Sequence, residues 1–301
     1  MKKYSAVACV IILCTLAGSL FADFGKSGWI IFRKTQSPRF KALTAAMPIT
    51  GDLSGMLYNP AITATAPSKE IFFLSELGFT DDVLGGLLYS HPLSKGALAG
   101  GLIHYDAGEM ELNWIDGTQL KNKTVTAQQD TLAVVSYGRQ VFLDNLYTGI
   151  NLKCASSNIA ETKDVTASAL DWGLLYAPLS RLFVSLSANN FGSASAFVDK
   201  KESLPSSIYG GAGYAMAFKG FDLTLGAGTN YLINESETVS LVGFEVGYGA
   251  VSFNTGYIIN REEANMHFGI GITYRRFDFS YAFIPGVYFD PTQRISLGCK
   301  F

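Results

Sequence analysis

Charge is scarce in this sequence. Asp, Glu, Lys and Arg make up 16% of its 301 residues, where a soluble domain carries about 25%. The deficit, with 48% hydrophobic residues, excludes a disordered chain and argues against an ordinary water-facing surface. Basic residues are not in excess, 23 Lys+Arg against 25 Asp+Glu, so nothing offers a footprint for nucleic acid. Proline is low at 9, which rules out a proline-rich linker protein. The 4 cysteines are too scattered for a disulfide framework, and Cys154 and Cys299 read as small apolar strand residues. Beyond the N-terminal stretch, no run of about 18 apolar residues exists to make a membrane helix. Gly, Ser, Asn or a charge interrupts every candidate.

What is present begins with an export signal. Lys2 and Lys3 form a positive n-region, Val7 through Leu20 is apolar, and Ala22 precedes Asp23 at an A-x-A-like cleavage site. Residues 1–22 are therefore assigned as a signal peptide, with an uncleaved anchor helix as the alternative. Cys9 and Cys14 fall inside it and lack the small-residue context of a lipoprotein site.

Downstream, the apolar residues alternate. Phe221, Leu223, Leu225, Ala227, Thr229 and Tyr231 take turns with Asp222, Thr224, Gly226, Gly228 and Asn230. Val251 to Ile259, Met266 to Tyr274 and Phe277 to Phe283 repeat the pattern. A period of two gives each strand one apolar and one polar or tiny face. Here the bulky face is aromatic, and the other carries Gly, Ser, Thr and isolated charges. That suits lipid outside and a polar lumen inside, and in lipid a sheet must close on itself. The spacing predicts an all-β transmembrane antiparallel barrel of about 14 strands, each near the roughly 9–11 residues that cross a bilayer.

The expected spans are 69–79, 83–91, 97–114, 128–139, 145–157, 166–176, 181–191, 205–218, 221–232, 238–247, 250–259, 265–274, 276–286 and 293–301. Short turns, as at Ser94-Lys95-Gly96 and Lys219-Gly220, alternate with longer polar loops, as at Asp116–Ala127, Gly192–Pro205 and Asn260–Ala264. Bacterial barrels turn tightly on the periplasmic side and loop outward on the other. The last strand puts Ile295, Leu297, Cys299 and Phe301 on one face. This ending resembles the C-terminal signal that delivers barrels to the outer-membrane assembly machinery.

Residues 23–68 break the alternation and are assigned to a separate segment ahead of the barrel at 69–301. The segment holds Gly51-Asp52-Leu53-Ser54 and Tyr58-Asn59-Pro60-Ala61. Proline pushes Asn59 toward extended geometry, and the Asn side chain can cap the turn that follows. An export signal, a segment with Asn59-Pro60-Ala61, and about 14 strands ending in Phe301 together resemble the FadL family of long-chain fatty acid transporters. The lead-in is closer to its PorV/PorQ-like branch. The resemblance implies that 23–68 is a hatch plugging the lumen, with Asn59, Pro60 and Ala61 its motif. It also implies an outer-membrane location in a diderm bacterium. Implied partners are outer-membrane lipid, the assembly machinery and a hydrophobic small-molecule ligand; for a PorV-like accessory, a secretion-system protein joins them. A general diffusion or structural barrel is the remaining alternative.

If Glu70 and Glu76 face the lumen, so do Phe72 and Leu74; the same logic turns Leu84, Leu88, Leu98 and Leu102 inward. Such a dry patch holds an acyl chain or packs against the hatch. Gly100-Gly101 on the third strand either marks an inward kink, which the resemblance associates with a lateral exit, or serves ordinary packing. No enzyme is expected: His91, His104 and His267 sit on separate strands, and Gly51-Asp52-Leu53-Ser54-Gly55 is not a nucleophile elbow. No catalytic residue, cofactor or metal site is assigned.

Overall fold

A computed structural model describes residues 27–34, 37–46, 52–78, 80, 82–161, 163–196, 201–259, 265–288 and 290–301. The assigned signal peptide with Cys9 and Cys14, and the Asn260–Ala264 loop, lie outside the described residues.

Among the described residues, sixteen strands follow the N-terminal segment. They are β1 (Glu70–Leu77), β2 (Val83–Leu93), β3 (Gly96–Asp106), β4 (Glu109–Asp116), β5 (Gln119–Thr126), β6 (Gln128–Gln140), β7 (Leu146–Ile159) and β8 (Lys163–Leu179). Then come β9 (Leu182–Ala194), β10 (Ser207–Phe218), β11 (Phe221–Leu232), β12 (Glu237–Tyr248), β13 (Val251–Ile259), β14 (Met266–Tyr274), β15 (Phe277–Ile284) and β16 (Thr292–Lys300). All but β4 and β5 form one closed barrel, in which β3 pairs with β6 and β1 with β16. Phe301 N donates to Lys69 O at 2.9 Å and extends that closing ladder.

One rim is made of two-residue turns except at the longer β6–β7 connection, 141–145. Leu93 pairs with Gly96, Phe218 with Phe221, Tyr248 with Val251 and Tyr274 with Phe277. Lys219 and Gly220 both have positive φ, the backbone that matches strand twist in a tight hairpin. The opposite rim carries the longer connections, among them 107–127, 195–206 and 285–291. Around the wall, Phe253, Ile270, Phe279, Ile295 and Leu297 are exposed on the outer face, and Asn254, Ala282, Arg294 and Ser296 are buried on the inner one.

Three expectations need correction. The span 97–114 is two elements. Asp106 accepts from Gly108 N at 2.8 Å and Gly108 turns at φ 80°, so β3 ends there and β4–β5 rises as a separate hairpin. The loop expected at Asp116–Ala127 is mostly the second arm of this hairpin.

Leu98 and Leu102 are 43% and 60% exposed, on the outer face. Cross-strand partners share a face, and Leu84 and Leu88 point inward opposite Tyr105 and Gly101. Leu102 instead pairs with exposed Leu87, and the inward positions of β3 fall on Ala97, Ala99, Gly101, Ile103 and Tyr105. A slip of one residue turns a whole strand over.

Nor does Gly100-Gly101 kink the strand. Both residues stay in register with Tyr89 and Leu88 on one side and Val135 and Val134 on the other. A Cβ on Gly101 would come within 2.6 Å of Leu88 Cδ2, so its bareness makes room for the leucine, and the ladders on both sides run through it unbroken. The ladder shifts elsewhere. Asn189 and Asn190 of β9 together face Asp171 of β8, with Asn190 at φ 61°.

Candidate functional site

The lumen is filled by the chain's own N-terminal segment, hereafter the hatch. Three capped turns build it. Ser37 caps a five-residue helix, α1 (Pro38–Ala42), by accepting from Phe40 N. Asp52 caps a 3-10 turn at Leu53–Leu57, and Asn59 caps another at Pro60–Thr65. Proline at the first helical position of α1 and of the last turn leaves no donor to satisfy there. Short polar caps suit a segment too irregular to satisfy its own backbone.

The hatch crosses from rim to rim. Ser27 bridges to Ser203 at the long-loop rim. Ala64 lies against Gly138, near the turn that ends β6, and β1 starts soon after. Between these ends its apolar side chains meet an apolar stretch of wall. Trp29, Ile31, Phe32, Leu53, Met56 and Leu57 share one buried cluster with Phe72 and Leu74 of β1, Leu84 and Leu88 of β2, Ile103 of β3 and Leu132 of β6. Of the residues expected to line a dry patch, Phe72, Leu74 and Leu88 do so, and Leu98 and Leu102 do not.

Asn59, Pro60 and Ala61 sit on a bare strip of wall. Gly138, Gly149 and Gly173 are successive cross-strand partners on β6, β7 and β8. A Cβ on each would come within 2.5 Å of Ala64 N, 2.7 Å of Ala61 N and 2.9 Å of Pro60 Cδ respectively. Real Cβ atoms do not approach so closely, so the row admits the hatch backbone only because it carries no side chains. Asn59 Oδ1 accepts from Ala61 N at 2.9 Å, and its Nδ2 donates to Leu174 O at 3.1 Å and Leu186 O at 3.4 Å. One side chain thus caps the turn and fastens it to two wall strands. Ser187 Oγ donates to Tyr58 O at 3.0 Å and Asn151 Nδ2 to Met56 O at 2.8 Å, extending the attachment.

Ion pairs complete it. Arg33 pairs with Glu235, and Lys34 with Asp82 and, at 3.2 Å, with Glu76. Arg39 reaches Glu245 through two bonds of 2.7 and 2.6 Å. Within the wall, Arg294 holds Glu76, Lys300 holds Asp278 at 2.7 Å, and buried Lys153 holds Asp171 at 2.6 Å. Lys153 also donates to Asn190 Oδ1 at 2.9 Å, tying the bulge in β9 to the same pair. In the rim loops, burial pushes the Asp82 carboxyl up, but hydrogen bonds and the charge of Lys34 outweigh it and hold the group below its usual range. Glu235 is likewise lowered, burial being outweighed by Ser27 and Arg33. The histidines are separate: His91 faces Tyr89, His104 bonds Thr131 and His267 bonds Lys41 O.

Sequence reasoning found the Asn-Pro-Ala turn but missed its seat. Each glycine of the row is unremarkable alone and gains its meaning from the register of three strands. The hatch cations Arg33, Lys34 and Arg39 were missed too, since their partners lie 42 to 206 positions away.

No family model matches the chain, and no curated protein is similar to it in sequence. Among solved structures it is similar to the toluene transporter TbuX of Ralstonia pickettii: 11% identity, TM-score 0.59, 92% of this chain and 100% of that one. The toluene transporter TodX of Pseudomonas putida gives 12% identity and a TM-score of 0.56 over 85% and 96% of the two chains. A FadL homologue from Pseudomonas aeruginosa gives 11% and 0.50 over 89% and 98%. At these identities the likeness is one of fold.

Proposed function

We propose that this chain is exported by residues 1–22 and sits in a bacterial outer membrane, where it carries hydrophobic small molecules through a lumen stoppered by its own hatch. Long-chain fatty acids and similar molecules are the class in view. Phe301, ending the last strand, serves as the assembly signal. The observation that carries the reading is the apolar stretch of inner wall over Phe72, Leu74, Leu84, Leu88 and Ile103. A water-filled pore lines itself with polar groups. Here a tail entering the lumen exchanges one apolar neighbour for another, and each buried methylene contributes about 0.8 kcal/mol. With β3 paired on both sides, the route runs along the lumen once the hatch moves, not sideways at Gly100-Gly101. The fold shared with toluene transporters supports the same class of cargo.

Proteoliposomes test this. The full chain is expected to take up labelled oleate or toluene and to exclude arabinose, and a chain lacking 27–65 to admit arabinose. Free passage of the sugar through the full chain, with no uptake of either hydrophobe, overturns the proposal.

The β4–β5 hairpin favours a second reading, a PorV-like accessory of a secretion system. Trp114, Ile115 and Leu120 are exposed at its tip, as a docking arm requires. Co-purification of a secreted protein that is lost on removing 109–126 would favour that reading over transport.

A further inference from the structure

The apolar wall accounts for a hydrophobic tail and leaves the head group open. The ion pairs across the seam address it, because they all run one way. Among the described residues, each salt bridge between hatch and barrel puts the cation on the hatch and the carboxylate on the wall: Arg33 to Glu235, Lys34 to Asp82 and Glu76, Arg39 to Glu245. Three cations of the wall are matched within the wall, Arg294 to Glu76, Lys153 to Asp171 and Lys300 to Asp278. Withdrawing the hatch therefore strips cations from Asp82, Glu235 and Glu245.

The stretch 29–34 also has the build of an amphiphile. Trp29, Ile31 and Phe32 enter the apolar cluster, and Arg33 and Lys34 stand next to them on the rim carboxylates. Asp82 and Glu235 are 1% and 3% exposed beneath the hatch, and its withdrawal leaves both carboxylates without a cation, Asp82 keeping only neutral donors such as Thr80. An incoming head group with a positive charge restores what the hatch supplied. A carboxylate head meets like charge at Asp82 and Glu235.

Resting on the transport reading above, we propose that the conduit discriminates by head group, accepting hydrophobic molecules with a cationic head, such as alkylammonium ions, in preference to carboxylates with the same tail. Asp82 and Glu235 are its specificity-determining residues. The binding of a positive head to them is also what competes Arg33 and Lys34 away and releases the hatch.

Trp29, 3% exposed inside the hatch, reports the event. Full-length protein with Trp114→Phe and Trp172→Phe, in phosphatidylcholine nanodiscs at pH 7.5, is titrated with octyltrimethylammonium, octanoate and octanol while Trp29 emission is followed. The ammonium is expected to reach half-saturation at a concentration at least tenfold below that of octanoate. Asp82→Asn with Glu235→Gln is expected to reduce the ratio to less than threefold, with folding checked by heat-modifiable gel mobility. Equal or tighter response to octanoate overturns the head-group proposal, and if octanol also shifts Trp29 the transport reading survives that failure. If none of the three moves Trp29, the transport reading fails and this proposal with it. Should the double variant not fold, the comparison of ammonium with octanoate on the unmodified rim decides alone.

Discussion

Asn59 concentrates the chemistry of the hatch in one amide. Its oxygen caps the last turn, and its nitrogen binds the carbonyls of Leu174 and Leu186 on paired strands. Asn59→Ala removes the cap and both fastenings and is expected to destabilise the closed state by about 1–3 kcal/mol. Asn59→Asp keeps the cap oxygen but sets a carboxylate against two carbonyls, and is expected to cost as much or more. Opening frequency of single channels in planar bilayers ranks the two variants. Gly149→Val is a sharper test of the seat. With no room beside Pro60 and Ala61, the hatch is expected to lift and leave a standing ionic conductance in a barrel of normal gel mobility. A silent, non-conducting variant would show that the row is not a seat. Asn59 was visible in the sequence because capping is local. Gly138, Gly149 and Gly173 were not, because three glycines become a groove only when three strands are aligned.

At the same scale, acid should loosen the rim. Asp82 and Glu235 titrate below their usual range in the fold. A lowered carboxylate stabilises fully above its unfolded pKa, about 4, and that contribution is lost as pH falls through the lowered value. Trp29 emission, in the single-tryptophan background, is therefore expected to stay constant from pH 8 to 5 and to shift red below about pH 4. Asp82→Asn with Glu235→Gln should remove that transition.

Elements were the most legible level. Alternation in β11, β13, β14 and β15 is regular because one side of a closed barrel faces outward and the other an enclosed space, and tight turns at Lys219-Gly220 and Gly249 punctuate it. β3 went wrong for an informative reason. Its inward side faces the hatch and carries Ala97, Ala99 and Gly101, so its leucines are on the outer side, the reverse of what a dry lumen suggested. The tight turn held the answer: Leu93 opposite Gly96 forces Leu88 opposite Gly101 and excludes Leu102 from the interior. The β4–β5 hairpin was hidden for another reason. Its faces are both largely exposed, so it lacks the one-sided pattern that identifies a wall strand. Ala107 and Gln128 pair below it, so replacing 109–126 with Gly-Gly is expected to leave barrel folding and heat-modifiability unchanged. Loss of the folded gel band would show that the hairpin helps closure.

For the whole molecule, wall and hatch share a charged interior that no single segment explains. Lys153 is 1% exposed and answers Asp171, Asn190 and the bulge together. Lys153→Met leaves a buried carboxylate without its cation, a loss of about 3–5 kcal/mol. The urea midpoint of refolded protein in lipid vesicles is expected to fall accordingly, and to recover in part in Lys153→Met with Asp171→Leu.

The glycine row has a mechanical consequence. Where main chain lies on main chain, no side chain is lodged in a socket, and this strip holds the hatch without interdigitation. Gly138, Gly149 and Gly173 offer a smooth bearing, so any resistance to movement of the hatch resides in its apolar cluster, the rim charges and the Asn59 amide and not in this strip.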